Sequence, residues 1–247
     1  MPPVNKIIVA PAKGLILYTN HFMQKTALVI GATGLIGNYI VQQLLADDSY
    51  STVCTISRRP TGVQHAKLDE RIVNFEDTAQ VTEAVGQGDV LFSCMGTTNA
   101  NVKGNKALYK FIDIEIPAMV ASTAFANGFS SCLLVSAIGA NPDSGNFYLQ
   151  LKGIAEQKII ESKLSSVHIF QPSLLMGQRK KENRPLEKIS QVVMGALSFM
   201  FVAALQKYKP IHYKKVGDAM LVTAKKNTPG VYKYTYKEMM DLLLPGA

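Results

Sequence analysis

Short apolar runs alternate with stretches whose apolar residues recur at helical spacing, from Thr26 almost to the end of the 247-residue chain. Thr26–Ile30 is the first run, and Ile36, Ile40, Val41, Leu44 and Leu45 follow it on what would be one face of a helix. Thr52–Ser57 predicts a second strand, closed by Arg58-Arg59-Pro60, where proline cannot donate to a continuing ladder. Arg71–Asn74 is a shorter third candidate, Val90–Cys94 a fourth after the Gly86-Gln-Gly88-Asp89 turn, Ser131–Val135 a fifth and Val167–Gln171 a sixth. Long helical patterns over Asn105–Ala126 and Phe147–Lys163 separate the later strands. Beyond them come the strongly apolar Leu186–Leu205, a helix at Gly217–Lys225, a strand at Val231–Tyr234 and a terminal helix near Tyr236–Leu244. This alternation predicts an α/β fold with a doubly wound parallel sheet, helices on both faces and a small C-terminal elaboration.

Length and composition narrow the picture. A chain of this size with 47% hydrophobic and 18% charged residues reads as one folded domain over 23–247, with substrate-pocket elements mainly in 172–247. Residues 1–22 contain no acid, no arginine and no serine, and carry Pro2, Pro3, Pro11 and Gly14. They read as a disordered arm or an upstream extension, and a cytoplasmic location is expected, with organellar targeting by 1–22 left open. Three cysteines, Cys54, Cys94 and Cys132, lack CxxC spacing and lie in apolar runs, which suits buried thiols rather than a disulfide framework or a metal site. The net charge of +8 is scattered apart from Arg179–Lys181 and Lys214–Lys215, and with no nucleic-acid-reading motif beside it a nucleic-acid partner is not expected.

The first strand candidate runs directly into Gly31-Ala-Thr33-Gly34-Leu35-Ile36-Gly37. Small residues at this spacing let backbone approach a pyrophosphate that the following helix N-terminus stabilises, so the segment reads as a dinucleotide loop of a Rossmann fold. At the end of the second strand an acidic residue would accept from a free ribose 2′-hydroxyl. Arg58 and Arg59 stand there instead, and guanidinium groups suit a 2′-phosphate, which favours NADP(H) over NAD(H).

Ser136 follows the strand candidate Ser131–Val135, at the strand end where open α/β sheets bind ligands. Twelve residues later comes Tyr148, and four beyond it Lys152, one helical turn away on the same face. The lysine ammonium would favour the tyrosine phenolate, making Tyr148 an acid/base toward a carbonyl or alcohol while Ser136 holds the same oxygen.

Together these residues resemble the short-chain dehydrogenase/reductase superfamily, in its atypical Tat-interacting-protein-like branch. The matching segments are Gly31–Gly37, Ser57-Arg-Arg59, Cys94-Met-Gly-Thr-Thr98, Val135-Ser-Ala-Ile-Gly-Ala140, Asn146-Phe-Tyr-Leu-Gln-Leu-Lys-Gly153 and Gln171-Pro-Ser-Leu-Leu-Met-Gly177. The resemblance implies an NADPH-dependent enzyme with a Ser136/Tyr148/Lys152 triad. It also implies cofactor contacts from Cys94, Met95, Gly96 and Thr97, from Asn74 and Phe75 near the adenine, and from Pro172 and Leu174 beside the nicotinamide. Two positions depart from the related pattern, which often has Asp at Asn74 and Arg at Gln171. The expected substrate is a small carbonyl or alcohol with an apolar portion. The expected assembly is a monomer or homodimer, with peripheral membrane contact through 186–205 open but no spanning helix. A cofactor-binding regulator that works through a protein partner is the alternative. A nucleotide-sugar epimerase would want a larger substrate domain than the roughly 75 residues after Gln171.

Overall fold

The computed structural model describes residues 24–177, 206–244 and 246. Strand β1 (Lys25–Ile30) lies inside a seven-stranded sheet with β2 (Tyr50–Ser57), β3 (Leu68–Ile72), β4 (Val90–Ser93), β5 (Ser131–Val135), β6 (Ser166–Phe170) and β9 (Gly230–Tyr234). The spatial order is β3-β2-β1-β4-β5-β6-β9, and every neighbouring pair is parallel. Two further short strands, β7 (Leu175–Met176) and β8 (Ile211–His212), pair separately.

Parallel strands need long crossovers, and these put helices on both faces. Ala27 and Val29 join the apolar cluster built by α1 (Leu35–Leu45), α6 (Tyr213–Lys226) and α7 (Tyr236–Asp241). Leu28 and Ile30, pointing the other way, join α2 (Thr78–Val85), α4 (Ile116–Ala126) and Ile159 of α5 (Phe147–Ile160). Burial on both faces explains why the central strands read as unbroken apolar runs, and each fully buried aliphatic side chain contributes about 1.5–3 kcal/mol.

The third strand departs from its expected bounds. It begins at Leu68, in register Val53↔Leu68 through Ser57↔Ile72, and ends before Val73. Its centre is Asp69-Glu70-Arg71, tolerable because β3 is an edge strand with partly exposed side chains. Helix α2 lacks a legible stripe, since only Val81 and Val85 are buried, but Asp77 caps it by accepting from the Gln80 amide at 3.0 Å. The long pattern from Asn105 resolves into α3 (Lys106–Lys110), a wide π-type turn at Phe111–Glu115 and α4. Helix α6 starts four residues earlier than the apolar pattern suggests, because His212 caps it through Lys214.

Cys54, Cys94 and Cys132 are free thiols, and burial pushes Cys54 up to about 11 and Cys132 up to about 12. No helix among the described residues is long and apolar enough to cross a membrane, and they contain no His/Cys/Asp/Glu group arranged to hold a metal. The arm at 1–22 and the apolar segment 186–205 lie outside the described residues.

Candidate active site

Because the main strands run parallel, their C-terminal ends share one edge of the sheet, and Gly31, Arg58, Cys94, Ser136 and Gln171 each follow a strand there. Neighbours β1 and β4 mark the point where the strand order reverses, and ligand crevices form at such points. At that point the backbones nearly touch. Gly31 has φ +78°, and a Cβ on it would lie 2.5 Å from the Cys94 carbonyl carbon and 2.7 Å from the Met95 nitrogen. A Cβ on Gly37 would strike the Gly31 carbonyl, so that glycine lets α1 close onto the turn.

The start of α1 differs from those of α2, α3, α5, α6 and α7, while α4 runs straight on from the wide turn. Asp77, Asn105, Asn146 and His212 cap α2, α3, α5 and α6 with side-chain acceptors, and Glu238 reaches back to the Thr235 amide ahead of α7. Helix α1 has Gly34 as its N-cap, with no side-chain cap. Its first-turn amides, those of Leu35 and Ile36 included, have no intrahelical acceptor, and the exposed Thr33 stands beside them. Unsatisfied amides at the positive end of a helix dipole fit the pyrophosphate of a dinucleotide.

Around this turn, Ser57 is buried and donates to the Arg59 carbonyl at 2.6 Å, fixing a bend that leaves Arg58 and Arg59 exposed. Asn74 is also exposed. Its side-chain oxygen accepts from the Glu76 amide at 3.1 Å, while its own amide donates to Gln80, so its side chain also shapes the turn before α2. Phe75 is buried in the cluster with Val81. Past β4, Cys94, Met95 and Thr97 are half-buried and Gly96 is exposed.

Asn146 caps α5 through the Leu149 amide at 3.2 Å. Tyr148, in the first turn, is 41% exposed, and Lys152 one turn later is buried. The helix buries Leu151, Lys152, Ala155, Glu156 and Ile159, so two charged residues share its inner face with three apolar ones. Gly153 lies under the backbone of Asn141 and Pro142, where a Cβ has no room, and this seats the loop from Ser136 on the helix.

Each buried charge on α5 has a partner from a distant element. Lys152 pairs with Asp113 at 2.8 Å, and the Asp113 side chain is completely buried. The other Asp113 oxygen accepts from the Thr97 amide at 2.8 Å, tying the loop after β4 to the wide turn. Tyr109 donates to the Thr97 carbonyl at 3.3 Å, and burial, then Asp113, then Tyr148 push its phenol up to about 12. Glu156, on the next turn, accepts from Ser136 Oγ at 2.5 Å and from Gln171 Nε2 at 2.7 Å on one oxygen, and from Lys233 of β9 at 2.7 Å on the other. Pro172 is buried and its carbonyl accepts from the Ile138 amide at 3.0 Å, while Leu174 is exposed.

Sequence reading missed Asp113, Glu156 and Lys233. A signal existed for the first two. Asp113 is an acid inside the alternation Phe111-Ile-Asp-Ile-Glu-Ile116, and Glu156 stands one turn beyond Lys152 on the face expected to be buried. Lys233 carries no such mark.

Fold and turn together define the class, a Rossmann-type NAD(P)-binding protein of the short-chain dehydrogenase/reductase kind. The chain belongs to the NAD(P)H-binding family, whose model matches residues 31–205. Protein FMP52-1, mitochondrial, of Scheffersomyces stipitis is 34% identical over 177 residues, covering 71% of this chain and 76% of that protein. Protein HTATIP2 of Rattus norvegicus is 30% identical over 176 residues, 70% of this chain and 72% of its own, in keeping with the expected branch. Among solved structures, the Bordetella bronchiseptica enzyme WbmG in complex with NAD has a TM-score of 0.65 at 13% identity, over 92% of this chain and 80% of that one. The UDP-N-acetylglucosamine 4-epimerase from Methanobrevibacter ruminantium has a TM-score of 0.64 at 18% identity, over 86% and 76%. These two share the fold.

Proposed function

We propose that the protein is an NADP(H)-dependent oxidoreductase acting on a carbonyl/alcohol pair, with Tyr148 as the acid/base. The observation that carries this reading is Tyr148, exposed, one turn before a buried Lys152 on α5, with Ser136 at the end of β5 and the uncapped start of α1 on the same sheet edge.

When bound, the dinucleotide supplies or accepts the hydride. The Leu35 and Ile36 amides, with Gly34 and Thr33, hold its pyrophosphate. Arg58 and Arg59 receive the 2′-phosphate that distinguishes NADPH, in a bend that the Ser57 hydroxyl holds. Asn74 borders the adenine on the surface, with Phe75 packed behind it, and Cys94–Thr97 line the cofactor next to the Lys152–Asp113 pair. Pro172 and Leu174 flank the nicotinamide. At the reacting carbon, Tyr148 gives its phenolic proton to the carbonyl oxygen in one direction and recovers it from the alcohol in the other. Lys152, one helical turn from Tyr148, holds the ribose, and Asp113 fixes where that ammonium stands.

Purified protein should bind NADPH and oxidise it with some members of a panel of aldehydes and ketones carrying apolar groups, read as loss of reduced-nicotinamide absorbance. Tyr148→Phe should lower kcat about 100-fold or more while leaving NADPH affinity unchanged. Cofactor binding with no turnover on any panel member would overturn the oxidoreductase reading in favour of a cofactor-binding regulator. The acid-free arm at 1–22 fits an organellar address, the location in the names of the FMP52 relatives. A fluorescent fusion with and without residues 1–22 tests that address against the cytoplasm.

A further inference from the structure

The contacts of Ser136 carry a preference that the triad alone does not. Ser136 Oγ lies 2.5 Å from Glu156 Oε1, and the Glu156 side chain is buried. Its other two neighbours are the Gln171 amide nitrogen on the same oxygen and the Lys233 ammonium on Oε2, both at 2.7 Å. An amide N–H and an ammonium can only donate, so the carboxylate stands among donors, and the proton between Ser136 and Glu156 belongs to the serine. A hydroxyl has one proton. With that proton directed at Glu156, Ser136 turns only lone pairs toward the site.

A carbonyl oxygen brought to Ser136 would meet lone pairs, whereas an alcohol hydroxyl would bring the missing proton. Turning the serine proton outward would take one of three donors from a buried carboxylate, which is costly. Resting on the carbonyl/alcohol reading of the site, we propose that Glu156 is a positioning residue that takes the Ser136 proton, so that the site receives the alcohol form of its substrate in preference to the carbonyl form. Lys233 supplies the positive charge that Gln171, at the position where related sequences often carry Arg, does not. It comes from β9, the far edge of the sheet, and is half-exposed.

Equilibrium binding tests this without turnover. Full-length protein saturated with NADP⁺ is titrated calorimetrically with trifluoroethanol, a hydroxyl that resists oxidation, and with dimethylacetamide, a carbonyl that hydride does not reduce and that has no donor of its own. Wild type should bind the alcohol roughly tenfold more tightly, the factor one neutral hydrogen bond supplies. Glu156→Gln and Ser136→Ala should bring the two probes within about twofold, and Lys233→Met should reduce the preference by about threefold, since its contact is half-exposed. The NADP⁺ affinity of each variant should stay at the wild-type value, which a general loss of structure would not allow. If Glu156→Gln does not fold, Ser136→Ala and Lys233→Met carry the comparison.

Equal or tighter binding of dimethylacetamide by wild type, binding of neither probe, or a preference that survives in the folded variants would overturn the proposal. Turnover with no alcohol preference would reject this inference alone. An alcohol preference without turnover on any panel member would reject the oxidoreductase reading alone.

Discussion

The two halves of the sheet edge are built from different materials. Around β1, β2 and α1 the site is backbone, with a glycine at positive φ against the Cys94 carbonyl and a helix start whose amides no side chain satisfies. Around β5, β6 and α5 it is buried charge, with Asp113 holding Lys152 and Glu156 holding Ser136. The first half should fail when volume is added and tolerate loss of surface charge. The second should fail when charge is left unpaired.

Lys152→Met tests this most severely, because it strands the Asp113 carboxylate in the interior. Urea unfolding should show a loss of about 3–5 kcal/mol, and adding Asp113→Leu should recover more than half of it, since removing both partners leaves no orphaned charge. If the double variant were no better than the single, the pair would not be the source of the cost. Gly31→Ala should follow at roughly 2–4 kcal/mol, from an added Cβ against immovable backbone at a left-handed φ, with loss of NADPH binding in the folded fraction. Wild-type NADPH affinity in that variant would break the backbone account of the first half.

His168 extends the second half into a pH effect. It is buried, its Nε2 is 2.8 Å from Ser166 Oγ and its Nδ1 is 2.9 Å from the Tyr234 hydroxyl, and burial lowers it from 6.5 to about 4. Between those values the unfolded chain binds a proton that the folded chain does not, so stability rises with pH across the window. It is fully present above about pH 6.5 and falls by about 2–3 kcal/mol as pH drops toward 4. Denaturation of wild type and His168→Gln at pH 7.5 and 4.5 measures it, and an equal slope in the variant would assign the loss to other groups. The smallest effect belongs to the surface: Arg58→Ala should weaken NADPH binding roughly tenfold, leave NADH binding unchanged and leave the unfolding midpoint within experimental scatter. Unchanged preference would remove the 2′-phosphate contact from the proposal.

The same division explains what was legible in the sequence. Gly31-x-x-Gly34-x-x-Gly37 is contiguous, because a turn and the helix after it are local, and its place between strand and helix is written in the residues on either side of it. The central strands were legible because burial on both faces fills them mostly with apolar residues, whereas β3, at the edge, hides behind Asp69-Glu70-Arg71. In the catalytic half, Tyr148 and Lys152 were visible as a helical spacing, but their surroundings were not. Asp113 reaches Lys152 from 39 residues upstream and Lys233 reaches Glu156 from 77 residues downstream, and no local pattern encodes a pairing set by the order of strands in a sheet.

The wide turn at Phe111–Glu115 gives the Lys152 pair an unusual genetic fragility. The Ile116 amide bonds back to the Phe111 carbonyl there, one residue further than in an ordinary helix. Deleting a single codon within that turn would remove the residue that the wide bond accommodates, while Pro117 at the start of α4 still bars an unbroken helix, so Asp113 would lose the place from which it reaches Lys152. No substitution at Asp113 is needed for a lineage to lose the pair; one in-frame deletion, silent to any scan for altered site residues, would suffice.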